Sequence, residues 1–186
     1  MISTPDGVID VDGRSGRLGG AADQARLRDL RAAADIVLVG AGTVRAESYG
    51  PPSREGLRIA VVTRSCDLDF AAPLFRSGAG LLVTTEDAPD VPVETVRAGR
   101  GEVDLRVALA RLGAGLVHCE GGPSLNAALL RADLVDVVNL TVSPAMGGVR
   151  GPSWAGEASS TRDFALTSSE TQDGFLFLRY ERVRSA

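Results

Sequence analysis

Ile36-Val37-Leu38-Val39 is a run of four apolar residues, three of them β-branched, and Gly40 ends it. A stretch with no polar position has to be covered on both faces. That is how a strand of a parallel sheet lies, and not how a half-solvated strand does. Residues 57–63 and 80–84 read the same way. Around these runs the apolar period becomes helical. Residues 21–34 place Ala22, Leu27, Leu30, Ala33 and Ala34 near one helical face, with Asp and Arg between them. The same logic predicts a short helix over 105–112, a strand over 116–119 and a helix over 123–131 opened by Gly and Pro. Residues 134–143 predict a long, partly alternating strand, and 163–168 with 175–183 an antiparallel pair around Gln172-Asp173-Gly174. Strands alternating with helices give an α/β chain with a mainly parallel sheet covered on both faces. The Gly/Ser/Pro-rich stretch 144–162 reads as a long loop over that sheet, and the length predicts one domain, 1–186.

Composition removes whole chemistries. All 20 basic residues are Arg, so neither a lysine Schiff base nor a Walker A loop is available. One histidine, His118, and two cysteines, Cys66 and Cys119, do not complete a metal site, and no metal is expected. His118, inside an apolar strand, reads as a satisfied core histidine. No apolar run approaches the roughly 18 residues of a membrane span, and the first ten residues show no secretory pattern. Reduced thiols and a cytoplasmic location are therefore expected, with no membrane partner. A net charge of −4 and 4% aromatic residues give no reason to expect nucleic acid.

Three places can carry chemistry. The first is Gly40-Ala41-Gly42-Thr43 after a buried strand, where ligands of open α/β sheets sit. Arg45 stands where a dinucleotide fingerprint needs its third glycine, so a tight turn and a ligand-approach site both remain open. The second is Glu120-Gly121-Gly122-Pro123-Ser124-Leu125, in which paired glycines and Pro123 open a helix. Free amides there suit a diphosphate without any basic side chain. Glu120, beside them, is tolerable if it points toward a substrate donor. The third is Thr63-Arg64-Ser65, which can take a phosphate or form an ordinary turn.

In order along the chain stand Ser3-Thr4-Pro5-Asp6-Gly7, Leu30-Arg31 with Asp35, Val39 to Arg45, Thr63 to Ser65, and Glu120 to Leu125. With Val138 to Gly148, this series resembles the reductase domain of the bifunctional riboflavin-biosynthesis deaminase–reductase. The resemblance implies a dihydrofolate-reductase-like, three-layer α/β/α fold with a mixed, mainly parallel central sheet and C-terminal antiparallel strands. The first strand is expected to be cut short. It implies NADPH-dependent reduction of 5-amino-6-(5-phosphoribosylamino)uracil, with hydride transfer to C1′. By position, Arg17, Gly40, Gly42, Thr43, Thr63, Arg64, Ser65, Gly121, Gly122, Pro123, Ser124, Leu125 and Asn126 would hold NADPH. Asp6, Ser15, Arg31, Arg54 and Glu120 would hold substrate, and Glu47 and Glu120 would be the catalytic carboxylates. One of these, with a raised pKa, would supply a proton. The deaminase pattern His-x-Glu with Pro-Cys-x-x-Cys is absent from the 186 residues, so a stand-alone reductase, forming a homodimer, is expected. Two alternatives stay open: a dihydrofolate-reductase-like activity on a pterin, and a non-catalytic NADP-binding paralogue.

Overall fold

The computed structural model describes residues 1–147, 153–157 and 161–184, which divide into two units, 29–125 and 1–28 with 126–186. Within 29–125 the buried runs become β2 (Ile36–Gly40), β3 (Arg58–Val62) and β4 (Gly80–Thr84). They join β5 (Thr95–Arg97) and β6 (Val117–Cys119) in a five-stranded parallel sheet of order β5-β4-β3-β2-β6. β2 and β3 are in register from Ile36↔Arg58 to Gly40↔Val62, so they end level with one another.

Both faces of this sheet are buried, as the unbroken apolar runs require. Val37, Val39, Ile59, Val61 and Leu82 share one face and are fully buried. Against them pack Ala41 and Val44 of helix α2 (Ala41–Glu47) and Leu74 and Phe75 of the single turn α3 (Pro73–Arg76). The alternate residues Leu38, Ala60, Leu81 and Val83 are no more than 1% exposed. Helix α4 (Leu105–Leu112) buries Leu105 and Ala108 and follows its local signals. The Asp104 carboxylate accepts from Val107 N at 3.0 Å, and Gly113, at φ 65°, stops the helix in a left-handed cap.

The other unit holds β1 (Ile2–Ser3), β7 (Val137–Val142), β8 (Phe164–Gln172) and β9 (Phe175–Arg182) in a mixed sheet of order β1-β7-β9-β8. β1 lies parallel to β7, and β9 runs antiparallel to both β7 and β8. Ile2, Leu18, Ala22, Phe175 and Phe177 form its core. Helix α1 (Ala21–Ala33) begins in this unit, and helix α5 (Pro123–Arg131) ends in it.

The α/β class and the parallel strands match the sequence reading, but the strands divide between two sheets. Most boundaries agree to within a residue or two, the usual spread at frayed ends. Where residues 40–43 read as a turn or a ligand loop, the structure has a strand running straight into α2, with Gly42 inside the helix. Gly42 with β-branched Thr43 and Val44 is a weak helical stretch, so propensity concealed it. β8 runs to Gln172, past the predicted 168, because its later residues are exposed and polar and carry no apolar alternation. The hairpin turn fell where Asp173-Gly174 placed it, with both residues at positive φ (53° and 81°). Of the expected long loop, 148–152 and 158–160 lie outside the described residues.

Leu82, fully buried on β4 beside the central strand β3, sets a stability test. Leu82→Ala should cost about 2–5 kcal/mol, read as a lower urea midpoint with an unchanged slope.

Candidate functional site

The two glycine-rich segments meet because β6 pairs with β2. Gly40 N donates to the Gly121 carbonyl at 2.6 Å, and Glu120 N donates to Leu38 O at 2.9 Å. A Cβ at Gly122 would lie 2.7 Å from Thr43 Oγ1, so only glycine lets the α5 entrance close on the Thr43 hydroxyl. Gly42 faces open space. Pro123 opens α5, Ser124 follows in its first turn, and Leu125 is buried there. The first amides of a helix have no partner within it and carry the positive end of the dipole. The Gly121 amide is different: it donates to Cys119 Sγ at 3.4 Å. Burial pushes the Cys119 thiol up to about 11, so it remains protonated.

Glu120 is the most constrained side chain of this end of the sheet, with only 6% of its side chain exposed. Arg31, near the end of α1, grips it with two prongs: Nε donates to Oε1 at 2.6 Å and Nη2 to Oε2 at 2.7 Å. The Tyr49 hydroxyl, two residues past the end of α2, donates to Oε2 at 2.5 Å. The Arg31 guanidinium also lies over the Tyr49 ring, 5.7 Å from its centroid. Burial alone would raise the Glu120 pKa, but the hydrogen bonds and charge of Arg31 outweigh it, helped by Tyr49 and His118. The net direction is below the ordinary carboxylate range. Burial raises the Tyr49 phenol, and the neighbouring anion raises it further, so it stays a donor. Arg31 is raised by its hydrogen bond to Glu120.

One expectation narrows here and one changes. Either Glu47 or Glu120 was expected to supply a proton from a carboxyl of raised pKa, and the Glu120 pKa is lowered. His118 was read as a satisfied core residue. Its Nε2 lies 3.5 Å from Glu120 Oε1 without a hydrogen bond, and among the described residues it has no other partner. Burial lowers its pKa and Glu120 only partly restores it, so the imidazole is neutral at pH 7. Tyr49 is the participant that the sequence reading missed. A lone tyrosine in a loop carries no spacing signal.

Thr63-Arg64-Ser65 forms a built turn rather than a loose one. Thr63 is buried and its Oγ1 accepts from Cys66 N at 3.1 Å, while Ser65 Oγ accepts from Asp67 N at 3.4 Å. Cys66, at φ 53°, is buried, and Arg64 and Ser65 are exposed on the turn. Arg45 braces this turn by donating to Asp67 O at 2.7 Å.

The remaining sequence candidates make other contacts. Arg54 donates from Nη2 to the Ala34 carbonyl, just before β2. Glu47 closes α2, yet the residue that this segment delivers to Glu120 is Tyr49. Asp6, Ser15, Arg17 and Asn126 belong to the other unit. Asp6 accepts from the Thr4 hydroxyl and from Gly147 N at 3.2 Å. Ser15 and Arg17 lie in a short 3-10 turn, where Arg17 pairs with Asp12. Asn126 donates to Trp154 O at 2.7 Å and so fixes part of the 144–162 segment.

Comparison with known proteins gives this geometry its context. A 2,5-diamino-6-ribosylamino-4(3H)-pyrimidinone 5′-phosphate reductase from Methanothermobacter thermautotrophicus is 30% identical over 165 residues, 79% of this chain and 76% of that protein. A pyrimidine reductase-like protein from Corynebacterium diphtheriae superimposes with a TM-score of 0.87 at 24% identity, covering 99% of this chain and 90% of the other. A dihydrofolate reductase from Enterococcus faecalis follows with a TM-score of 0.59 at 15% identity, over 97% and 92% of the two chains. Those two likenesses establish the fold, which is the dihydrofolate-reductase type expected from the motifs. The profile of the RibD C-terminal domain matches residues 1–176, and the chain belongs to that family.

Proposed function

We propose that this chain is an NADPH-dependent oxidoreductase that reduces a phosphoribosylaminopyrimidine of the 5-amino-6-(5-phosphoribosylamino)uracil type to its ribitylamino product. The observation that carries this reading is the junction of the β2 and β6 ends, where Gly40 bonds Gly121 and Thr43 abuts Gly122, beside the paired Glu120. The 30% identity to an archaeal reductase of a closely related pyrimidine phosphate supports it.

The residues present fit a nicotinamide dinucleotide. The Thr43–Gly122 contact leaves no room for a side chain, so a ligand there meets main chain and a hydroxyl. At the α5 entrance the Gly122, Ser124 and Leu125 amides would hold the diphosphate, Pro123 having no N–H to offer. Thr63, Arg64 and Ser65 would hold an adenosine 2′-phosphate, since Arg64 is exposed on a turn braced by Arg45. NADPH, when bound, supplies the hydride. The chain's own part is orientation and charge. Glu120, held ionised, accepts hydrogen bonds from the substrate and does not give up a proton. Proton delivery then falls to Glu47, at the end of α2. A homodimer working in the cytoplasm completes this reading.

Incubating the protein with NADPH and 5-amino-6-(5-phosphoribosylamino)uracil should consume the coenzyme, whereas dihydrofolate should not. A comparable rate on dihydrofolate would move the assignment to pterin reduction. Coenzyme binding without turnover on either substrate would make the chain a binding paralogue. Arg64→Gln should raise KM for NADPH about tenfold while leaving KM for NADH in place. An equal effect on both coenzymes would remove Arg64 from the phosphate site.

The Glu120 pair also sets the acid sensitivity of the fold. Its folded pKa lies below the ordinary 4.5, so its contribution is complete above that value and is lost as pH falls through the folded one. Glu120→Gln should therefore destabilise the protein by about 1–3 kcal/mol at pH 7. The gap in Tm between native and variant should narrow below about pH 4. A gap that stays constant down to pH 3 would contradict the pairing.

A further inference from the structure

Glu120 has two carboxylate oxygens and about four acceptor positions. Arg31 takes one on each oxygen, at 2.6 and 2.7 Å, and the Tyr49 hydroxyl takes a second on Oε2 at 2.5 Å. The acceptor position left over is on Oε1. Beside it stands His118 Nε2, 3.5 Å away and without a hydrogen bond among the described residues. Both acceptor positions of Oε2 are therefore taken, and one of Oε1 is not.

We propose that Tyr49 is the positioning residue of this site, blocking Oε2 of Glu120 and leaving Oε1 as the acceptor that meets an N–H donor of the substrate ring. The inference rests on the reductase reading above, in which Glu120 faces substrate. Tyr49 is suited to the task by how it is held. Its ring packs against the core cluster of Val37, Val39, Ile59 and Val61, and Arg31 lies across its face. A phenol fixed in this way loses little freedom when it donates, unlike a serine or water at the same place. It also cannot be exchanged for substrate, so an incoming ring has one oxygen to address. An acceptor of fixed direction selects rings that present an N–H and rejects those that present a carbonyl or a ring nitrogen lone pair. The groups that face Glu120 are Arg31, Tyr49 and His118.

Tyr49→Phe removes the hydroxyl and keeps the ring and its packing. In the reductase assay it should raise KM for the pyrimidine phosphate about tenfold, the loss expected for one hydrogen bond to a charged acceptor, and leave KM for NADPH within twofold. The acid limb of kcat/KM should move to higher pH, because Glu120 with fewer donors takes up a proton more readily. Introducing 3-fluorotyrosine into a Tyr180→Phe background labels Tyr49 alone, since the chain has two tyrosines. The more acidic phenol should move the same limb to lower pH without altering packing. Unchanged KM and an unmoved limb in Tyr49→Phe, or equal effects on both substrates, would overturn the proposal. The reductase reading fails separately, if the native chain does not consume NADPH with the pyrimidine. In that case the Glu120 carboxyl is titrated by carbon NMR in the native chain and in Tyr49→Phe. An upward move in the variant upholds the positioning role, and identical titration overturns it.

Discussion

Covering a parallel sheet on both faces leaves chemistry almost nowhere to go except the strand ends. In residues 29–125 the strand interiors are sealed: Val37, Val39, Ile59, Val61 and Leu82 on one side, Leu38, Ala60, Leu81 and Val83 on the other. A polar side chain inside would need a partner at every atom. Polar side chains therefore gather where strands run out, as Thr63 does after β3 and Glu120 after β6. The level ending of β2 and β3, and the pairing of β6 beside β2, are what make separate stretches of sequence into one place.

Glu120 shows what it takes to keep a charge at such a position. An isolated carboxylate with 6% of its side chain exposed would take up a proton rather than stay ionised. Here a planar fork and a phenol answer it, with donor distances of 2.5 to 2.7 Å. Arg31 is itself partly covered, so each charge needs the other, and removing either leaves its partner uncompensated. A lysine could not do the same work. Its single ammonium cannot meet both oxygens in one plane, and it cannot stack on Tyr49 as a guanidinium does. In a chain without lysine, this contact gives the arginine preference a local physical reason.

Much of this was legible beforehand, and what was not has identifiable causes. The buried strands announced themselves because unbroken β-branched runs have few other ways to fold. The α5 start and the Asp173-Gly174 turn followed from residues with narrow backbone preferences. The likeness of the motif Glu120 to Leu125 and its companions to a reductase family pointed to the right fold. Helix α2 was hidden because Gly42, Thr43 and Val44 favour other structures, and only the sheet beneath stabilises it. Tyr49 and the state of Glu120 were beyond reach for a different reason. Arg31 and Glu120 lie 89 residues apart, and Tyr49 and Glu120 71 apart. Sequence proximity says nothing about such contacts, and a carboxylate's pKa is set by its neighbours in space.

The same separation bears on the roles proposed for Glu47 and Glu120, which are indistinguishable as letters. Glu120 is surrounded by donors, and its proposed role is that of a fixed acceptor for substrate N–H groups. A proton donor needs the reverse: a carboxyl whose charged form is not strongly favoured. A reduction that adds hydride to an imine-like carbon needs both functions close together. Supplying them from one residue would require Glu120 to hold its proton while gripped by a cation at 2.6 Å, and electrostatics forbids that combination. Recognition is therefore proposed for Glu120, just past β6, and proton delivery for a different group, Glu47.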